Sequence, residues 1–434
     1  MTNILGLDEI NDGLLTGAGG LILSRDPGNG LVTGSALGNV IDSLTYNGFG
    51  EPETYSASYN AASLMNVQYT RDNIGRIIQK TETISGVTNT YVYTYDQAGR
   101  LTDVAKNGSN TAHYVYDENG NRIGYTNAGG TTISGTYDDQ DRLIQYGANT
   151  YVYTANGELQ SKTDATGQIT TYTYDAFGNL ISVVLPNNTE VDFVIDGKNR
   201  RVGKRVNGIL VKGFLYENEL SPVAELDGNG NIVSRFVYGT KSNVPDYMIK
   251  NGNTYRIISD NLGSPRLVLD VSTGQIIQRM DNDEFGNVIQ DTNPGFQPFG
   301  YAGGLYEKDT GLVRFGARDY DSTTGKWGAK DPILFNGGDT NLFGYVGNNP
   351  VNKADPYGLG FCETICDLVP LPLWAAPLCD LLCPSETSLD PGECILTSTS
   401  TSGDYKFCYY GCEDGRWRLI LIDKCSECAP SHNF

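Results

Sequence analysis

The first cysteine of this 434-residue chain stands at position 362, and all nine fall between there and the end. No disulfide or thiolate metal site can therefore form within residues 1–361. Histidine is scarcer still: His113 and His432 are the only two, which argues against a histidine-based triad ahead of the cysteines. Basic residues are few, with 31 Lys and Arg against 51 Asp and Glu and a formal net charge of −20. Nonspecific binding to nucleic acid or to an anionic membrane needs a basic surface, so neither is expected. No apolar run has the length of a membrane span; the most apolar, LVPLPLWAAPLCDLL at 368–382, carries three prolines. The opening MTNILGLDEINDG is acidic and lacks a basic region followed by an apolar one, so it does not read as a signal peptide. Either Met1 is internal to a longer natural chain, or export follows another route.

Glycine (53) and tyrosine (28) are plentiful, the profile of a β-rich, turn-rich chain. Residues 1–42 are glycine-rich and poorly periodic, an N-terminal segment or partial repeat. From about residue 43 a unit recurs: RDNIGRII (71–78), YDQAGRLT (95–102), YDENGNRI (116–123), YDDQDRLI (137–144) and YDAFGNLI (174–181), then looser copies at 195–202, 226–233 and 282–289. Spacing of roughly twenty residues marks a repeat architecture. Strands such as TYVYTY (90–95) alternate with period 2, so one face packs inward. The aspartate suits a turn in which it accepts backbone amides, and the glycine supplies a positive φ. Each hairpin cannot bury its face alone and must stack on neighbours. Tyrosine suits a wall that is only partly dry, because the ring is buried while the hydroxyl stays bonded.

These units resemble the YD repeats of the Rhs family, and residues 300–359 resemble the Rhs-associated core that closes such arrays. The resemblance spans about residues 43–359. It is most specific from DNLGSPRLVLD (260–270) through DEFGNV, PGFQPFGYAGGLYEKDTGL and RFGARDYDSTTGKW to NPVNKADPYGL. It implies a mainly β fold: YD hairpins (43–299) coiling into a hollow shell, complete or partial, closed by a core (300–359). A small cysteine-rich domain (360–434) would be the enclosed effector or toxin. It also implies an aspartyl autoprotease that cuts after the leucine of a D-P-x-G-L motif. Here Asp355, Pro356, Gly358 and Leu359 match that motif and the bond to Gly360 is the one cut. Arg318, Asp319 and Asp331 match the family's other residues implicated in cleavage. The family more often has glycine after D-P-I, where this chain has DPILF (331–335). Its shells are built from more repeats, so this chain is expected to form the last turns of one.

Carboxylates hydrolyse a peptide bond in pairs, one activating water and the other protonating or polarising the scissile carbonyl. Close approach and enclosure raise the pKa of one of them. Arg318 would anchor a carboxylate or steady the oxyanion. Turn formation competes with catalysis for every aspartate in the stretch. It is the preferred reading for Asp309, Asp321 and Asp339, whereas Asp319, Asp331 and Asp355 remain catalytic candidates. The glycine-rich pieces lack the strand–helix context of a phosphate loop.

In residues 360–434 the cysteines are paired in spacing. Cys362 and Cys366 go with Cys379 and Cys383, then Cys408 and Cys412 with Cys425 and Cys428, leaving Cys394 over. The first set suits a stapled helical hairpin, with little helix expected outside 360–385. The second brackets a β-hairpin formed by YKFCYYGC and RWRLILI. Disulfides and a zinc ribbon both fit; no other cofactor is expected. The segment names no activity. The leading function is thus a shell that encloses and releases this segment, secreted or at the cell surface, with an immunity protein and a secretion system as partners. The alternatives are a non-cleaving surface protein for adhesion or carbohydrate binding, and a truncated fragment of a larger Rhs protein.

Overall fold

The computed structural model describes residues 8–11 and 13–360. Beyond them it describes the backbone of the strands Cys362–Glu363, Glu393–Ser402, Tyr405–Cys412, Trp417–Asp423 and Ser431–Asn433. The chain divides into two compact units, Met1–Ala376 and Pro377–Phe434. In the second, Tyr405–Cys412 pairs antiparallel with Glu393–Ser402 on one side and Trp417–Asp423 on the other. The helices expected over 360–385 lie outside the described residues. So do Cys366, Cys379, Cys383, Cys425 and Cys428, while Cys362, Cys394, Cys408 and Cys412 are placed by their strand backbone alone. The disulfides or zinc ligation expected of these cysteines are thus outside what the structure describes.

In the first unit, 28 described strands follow one another antiparallel, from Asp8–Asn11 to Val288–Asp291. Helix among the described residues is confined to the three short 3-10 turns Tyr301–Gly303, Leu334–Gly337 and Val346–Asn348. The chain is mainly β, as its period-2 pattern predicts: along Ala62–Arg71, Met65, Val67 and Tyr69 are buried while their neighbours face solvent. The glycine-rich start also enters the sheet, through Leu14–Ala18, Leu21–Arg25 and Val32–Leu37. The sheet is not closed: its first and last strands each pair with one neighbour among the described residues.

One turn chemistry builds the hairpins. Asp72 Oδ1 accepts the amides of Ile74 (3.1 Å) and Arg76 (2.9 Å), while its own carbonyl accepts Gly75 N–H at 3.1 Å. Gly75 has φ +85°, a conformation in which a Cβ is strained. The same aspartate contacts recur at Asp138, Asp175 and Asp196. Where the glycine is replaced, Asp141 (φ +61°) and Asn199 (φ +59°) take the left-handed conformation instead. The second carboxylate oxygen is claimed by the side chain four residues on, Arg76 or Arg142 in some copies and Asn179 or Asn287 in others.

The tyrosines then stitch successive hairpins. The hydroxyls of Tyr95, Tyr116 and Tyr137 donate to the carbonyls of Ile77 (2.6 Å), Leu101 (2.9 Å) and Arg122 (3.0 Å), fifteen to eighteen residues back. Arg76 and Arg100 stack over the rings of Tyr95 (4.8 Å) and Tyr116 (5.1 Å) in the following unit.

Late strands face early ones. Val237 and Tyr247 pack with Ala18, Leu21 and Leu37. Buried ion pairs cross the same interface: Arg256 to Asp42 at 2.5 Å, and Arg266 to Glu82 at 2.7 Å. Residues 300–360 form a core of their own. Tyr301, Phe315, Tyr320, Trp327 and Tyr345 are buried together, with the Tyr320 and Tyr345 rings 4.4 Å apart. This core sits on residues in or just after the YD turns. Ile77 N–H donates to Asn352 Oδ1 (2.7 Å), Asn348 Nδ2 to the Gly120 carbonyl (2.8 Å), and Leu159 N–H to the Gly328 carbonyl (2.8 Å).

Desolvation opposes ionisation of Asp138, but the Arg142 side-chain and backbone hydrogen bonds hold its carboxyl below the usual range. Its stabilisation is therefore present above the unfolded value and lost as pH falls through the folded one. Asp138→Ala should cost about 1–2 kcal/mol in urea unfolding at pH 7, and Asp139→Ala, whose side chain is exposed, next to nothing. Equal effects would show that the turn carboxylate does not hold the hairpin.

Candidate active site

Arg318 opens the strand Arg318–Asp321, which pairs with Leu312–Phe315 and Lys326–Trp327. Successive side chains point to opposite faces. Arg318 consequently enters the core beside Trp327, its guanidinium 4.3 Å from the ring centroid, while Asp319 is directed to the hairpin wall. Asp319 is buried there between Arg201 (2.8 and 3.1 Å) and Arg314 (3.0 Å).

Arg318 gathers the other candidates. Its Nε donates to the Gly358 carbonyl (2.5 Å) and Nη1 to the Leu342 carbonyl (3.2 Å). Nη2 lies 2.7 Å from Asp331 Oδ2 and 3.4 Å from Asp355 Oδ2. Asp355 in turn holds the proposed cleavage bond: Oδ1 accepts Leu359 N–H at 3.1 Å and Oδ2 accepts Gly360 N–H at 3.0 Å. The motif is itself a YD-type turn. Gly358, three residues after the aspartate, has φ +66° and donates to the Asp355 carbonyl (3.3 Å), as Gly75 does to Asp72. A Cβ on Gly358 would lie 2.6 Å from the Phe315 carbonyl oxygen, so only glycine fits. Pro356 is buried beside Asp355. Leucine at 359 has no group to occupy Oδ2, which in the repeats is claimed by Arg or Asn; here Oδ2 is left for Gly360 and Arg318.

Burial, opposed by Arg318, pushes the Asp355 carboxyl up to about 6. It also raises Asp331, against Arg318 and the Ile333 amide. A cavity of about 10 Å³ is bounded by Arg318, Asp331, Asp339, Gly337, Asp355 and Gly360. That is about the smallest space that holds one water. A Cβ on Gly337 would fall 2.7 Å from Asp331 Oδ2 and 2.9 Å from the Leu359 carbonyl oxygen, so this carboxylate and this carbonyl flank the same point.

Thus Arg318, Asp331, Asp355, Pro356, Gly358, Leu359 and Gly360 come together, and Asp319 does not. Strand alternation after Arg318 could have separated Asp319 from its neighbour. Two residues of the turn NGGD (336–339) also line this cavity. One is Gly337, against the bond; the other is Asp339, which lines the cavity and is raised by burial although it also accepts the Asn341 amide in a turn (2.9 Å). Asp321 is a turn residue, accepting Thr323 N–H at 2.9 Å. Asp309 pairs with Lys204 and Lys308.

The profile of the teneurin YD-shell family matches residues 9–351. The chain belongs to that family. Among relatives of this YD-shell chain, human teneurin-4 is 30% identical over 304 residues, which cover 67% of this chain and 11% of teneurin-4. The tRNA3(Ser)-specific nuclease WapA of Bacillus spizizenii is 28% identical over 169 residues, 38% of this chain and 7% of WapA. The chain thus spans about a tenth of the length of these curated relatives. The TcdB2–TccC3 crystal structure aligns with a TM-score of 0.42 at 17% identity, covering 78% of this chain and 22% of that one. The family match ends before Asp355, so the D-P-x-G-L motif lies beyond it.

Asp319→Asn leaves Arg201 and Arg314 buried without their shared carboxylate. Breaking such a buried pair should cost about 3–5 kcal/mol. Urea unfolding of the Asn variant measures this, and a loss below about 1 kcal/mol would show that Asp319 does not tie the core to the wall.

Proposed function

We propose that this chain is a self-processing YD shell that cuts its own Leu359–Gly360 bond and frees residues 360–434 as a cargo domain. The supporting observation is that Asp355 accepts both amides flanking the Leu359 carbonyl, 3.1 and 3.0 Å away, in a buried site shared with Asp331 and Arg318. Asp331, ionised against Arg318, takes a proton from a water in the small cavity as that water attacks the Leu359 carbonyl carbon. Asp355 gives its proton to the Gly360 nitrogen as the carbon–nitrogen bond breaks. The products are a Leu359 carboxylate and a Gly360 amine. Arg318 steadies the negative charge, and Asp319 is a positioning residue that fixes the strand carrying Arg318.

In this reading residues 43–299 are the wall, 300–359 the core and 360–434 the effector. A WapA relative named for its nuclease activity favours a toxic cargo, with an immunity protein and a secretion apparatus as partners. Kinship with WapA and the teneurins favours a place outside the cell.

Self-cleavage of refolded protein, followed on denaturing gels as pieces of roughly 39 and 8 kDa, tests the mechanism. Asp331→Asn and Asp355→Asn should abolish it, Arg318→Lys and Asp339→Asn should slow it, and Asp321→Asn should leave it unchanged. Because Asp355 must carry a proton and Asp331 must not, the rate should pass through a maximum below about pH 6, falling roughly tenfold per pH unit above it and again at low pH as Asp331 is protonated. Full cleavage in the folded Asp355→Asn variant, or a rate rising between pH 6 and 8, would rule out this assignment.

A further inference from the structure

A second cavity, of about 240 Å³, shares no lining residue with the cleavage site. It lies between Val40–Tyr46, Pro52–Tyr59, Ala62–Arg71 and residues 74–77 on one side and residues 240–261 on the other, with Asn349, Asn352 and Lys353 of the core as a third wall. Cavities of roughly 150 Å³ already admit a benzene ring, so this one has room for a larger ring compound.

Its charged groups are already matched. Asp42 accepts Ser35 N–H (2.7 Å) and Arg256 Nη2 (2.5 Å). Asp246 accepts the amides of Gly239 (2.7 Å) and Thr240 (2.8 Å) and pairs with Arg256 at 3.3 Å. Lys241 Nζ donates to Ser259 Oγ (3.0 Å) and the Asp260 carbonyl (2.6 Å). Arg71 forms an ion pair with Glu51 at 3.7 Å, beyond hydrogen-bond distance, so its buried Nε keeps an unused N–H, and Arg76 lies 2.7 Å from Asp72. A charged ligand entering here would be desolvated with no free counter-charge among these groups, at a cost of several kcal/mol.

Apart from that N–H of the paired Arg71, what stays available is neutral. The Tyr55 hydroxyl has no hydrogen-bond partner among the described residues, and burial keeps it protonated by raising its pKa well above the ordinary value. Tyr69, on the neighbouring strand and the same face, donates to Asn261 Oδ1 at 3.2 Å and retains its acceptor lone pairs. Around them stand Met65, Val67 and Ile257, apolar and buried. Apolar walls with a few convergent polar groups are the usual composition of a small-molecule site.

We propose that this cavity binds a neutral aromatic alcohol or a related hydroxylated ring compound. The ring lies against Met65, Val67 and Ile257, and its hydroxyl exchanges hydrogen bonds with Tyr55 and Tyr69. The substitutions that test it fall on residues outside the lining of the cleavage site.

Fluorescence titration of the full chain with 2-naphthol tests this. Saturable binding is expected, with naphthalene-2-sulfonate at least roughly tenfold weaker because its charge finds no partner. Tyr55→Phe keeps the ring and removes the hydroxyl, and should weaken 2-naphthol binding roughly threefold to tenfold. Val67→Phe fills the space and should abolish binding. If Val67→Phe fails to fold, the Tyr55→Phe comparison still decides. Absence of saturable binding, equal affinity for the sulfonate, or an affinity unchanged by Tyr55→Phe would each overturn the proposal.

Discussion

A carboxylate that accepts two backbone amides across a tight turn underlies both the wall and the site. In the repeats, Asp72 and Asp138 cap hairpins and leave their second oxygen to Arg76 or Arg142. Those turns are half-exposed, so hydrogen bonds outweigh desolvation and the carboxyls stay acidic. Asp355 makes the same kind of turn inside the core, where desolvation outweighs the same bonds and pushes its pKa up to about 6. One local geometry thus yields a structural anion on the wall and a candidate acid in the core, and depth of burial makes the difference.

The wall also supplies the seat for that core. Residues in or just after several turns, Ile77, Gly120 and Leu159, bond directly to the segment 300–359. The clamp of Arg201 and Arg314 on Asp319 fixes one face of the strand Arg318–Asp321, and strand alternation then delivers Arg318 to the other. The register of a buried strand therefore links the wall to the place where Asp331 and Asp355 meet. The ion pairs crossing to Asp42 and Glu82 do similar work between early and late strands.

Much of this was legible in the sequence. Period-2 alternation and the Y-D-x-x-G spacing gave strands, turns and their repetition, because these are local preferences. Asp355, Gly358 and Leu359 were pointed to by the resemblance to the Rhs core and its D-P-x-G-L motif. Long-range placement was not legible. Strand alternation parts Asp319 from Arg318, but nothing local names Arg201, 118 residues distant in sequence, as its partner. Nor does NGGD announce that Gly337 lies against the Leu359 carbonyl. Even the start of the chain, glycine-rich and weakly patterned, joins the sheet through pairing with its neighbours rather than through strong propensity.

Intact-mass spectrometry of the purified wild-type chain tests the central claim most directly, because it locates the broken bond to the residue. If Asp355 and Asp331 act as described, the spectrum should contain two polypeptides ending at Leu359 and beginning at Gly360, their masses summing to the chain plus one water. A folded, β-rich chain that gives a single mass of 47.1 kDa under mildly acidic conditions would contradict it.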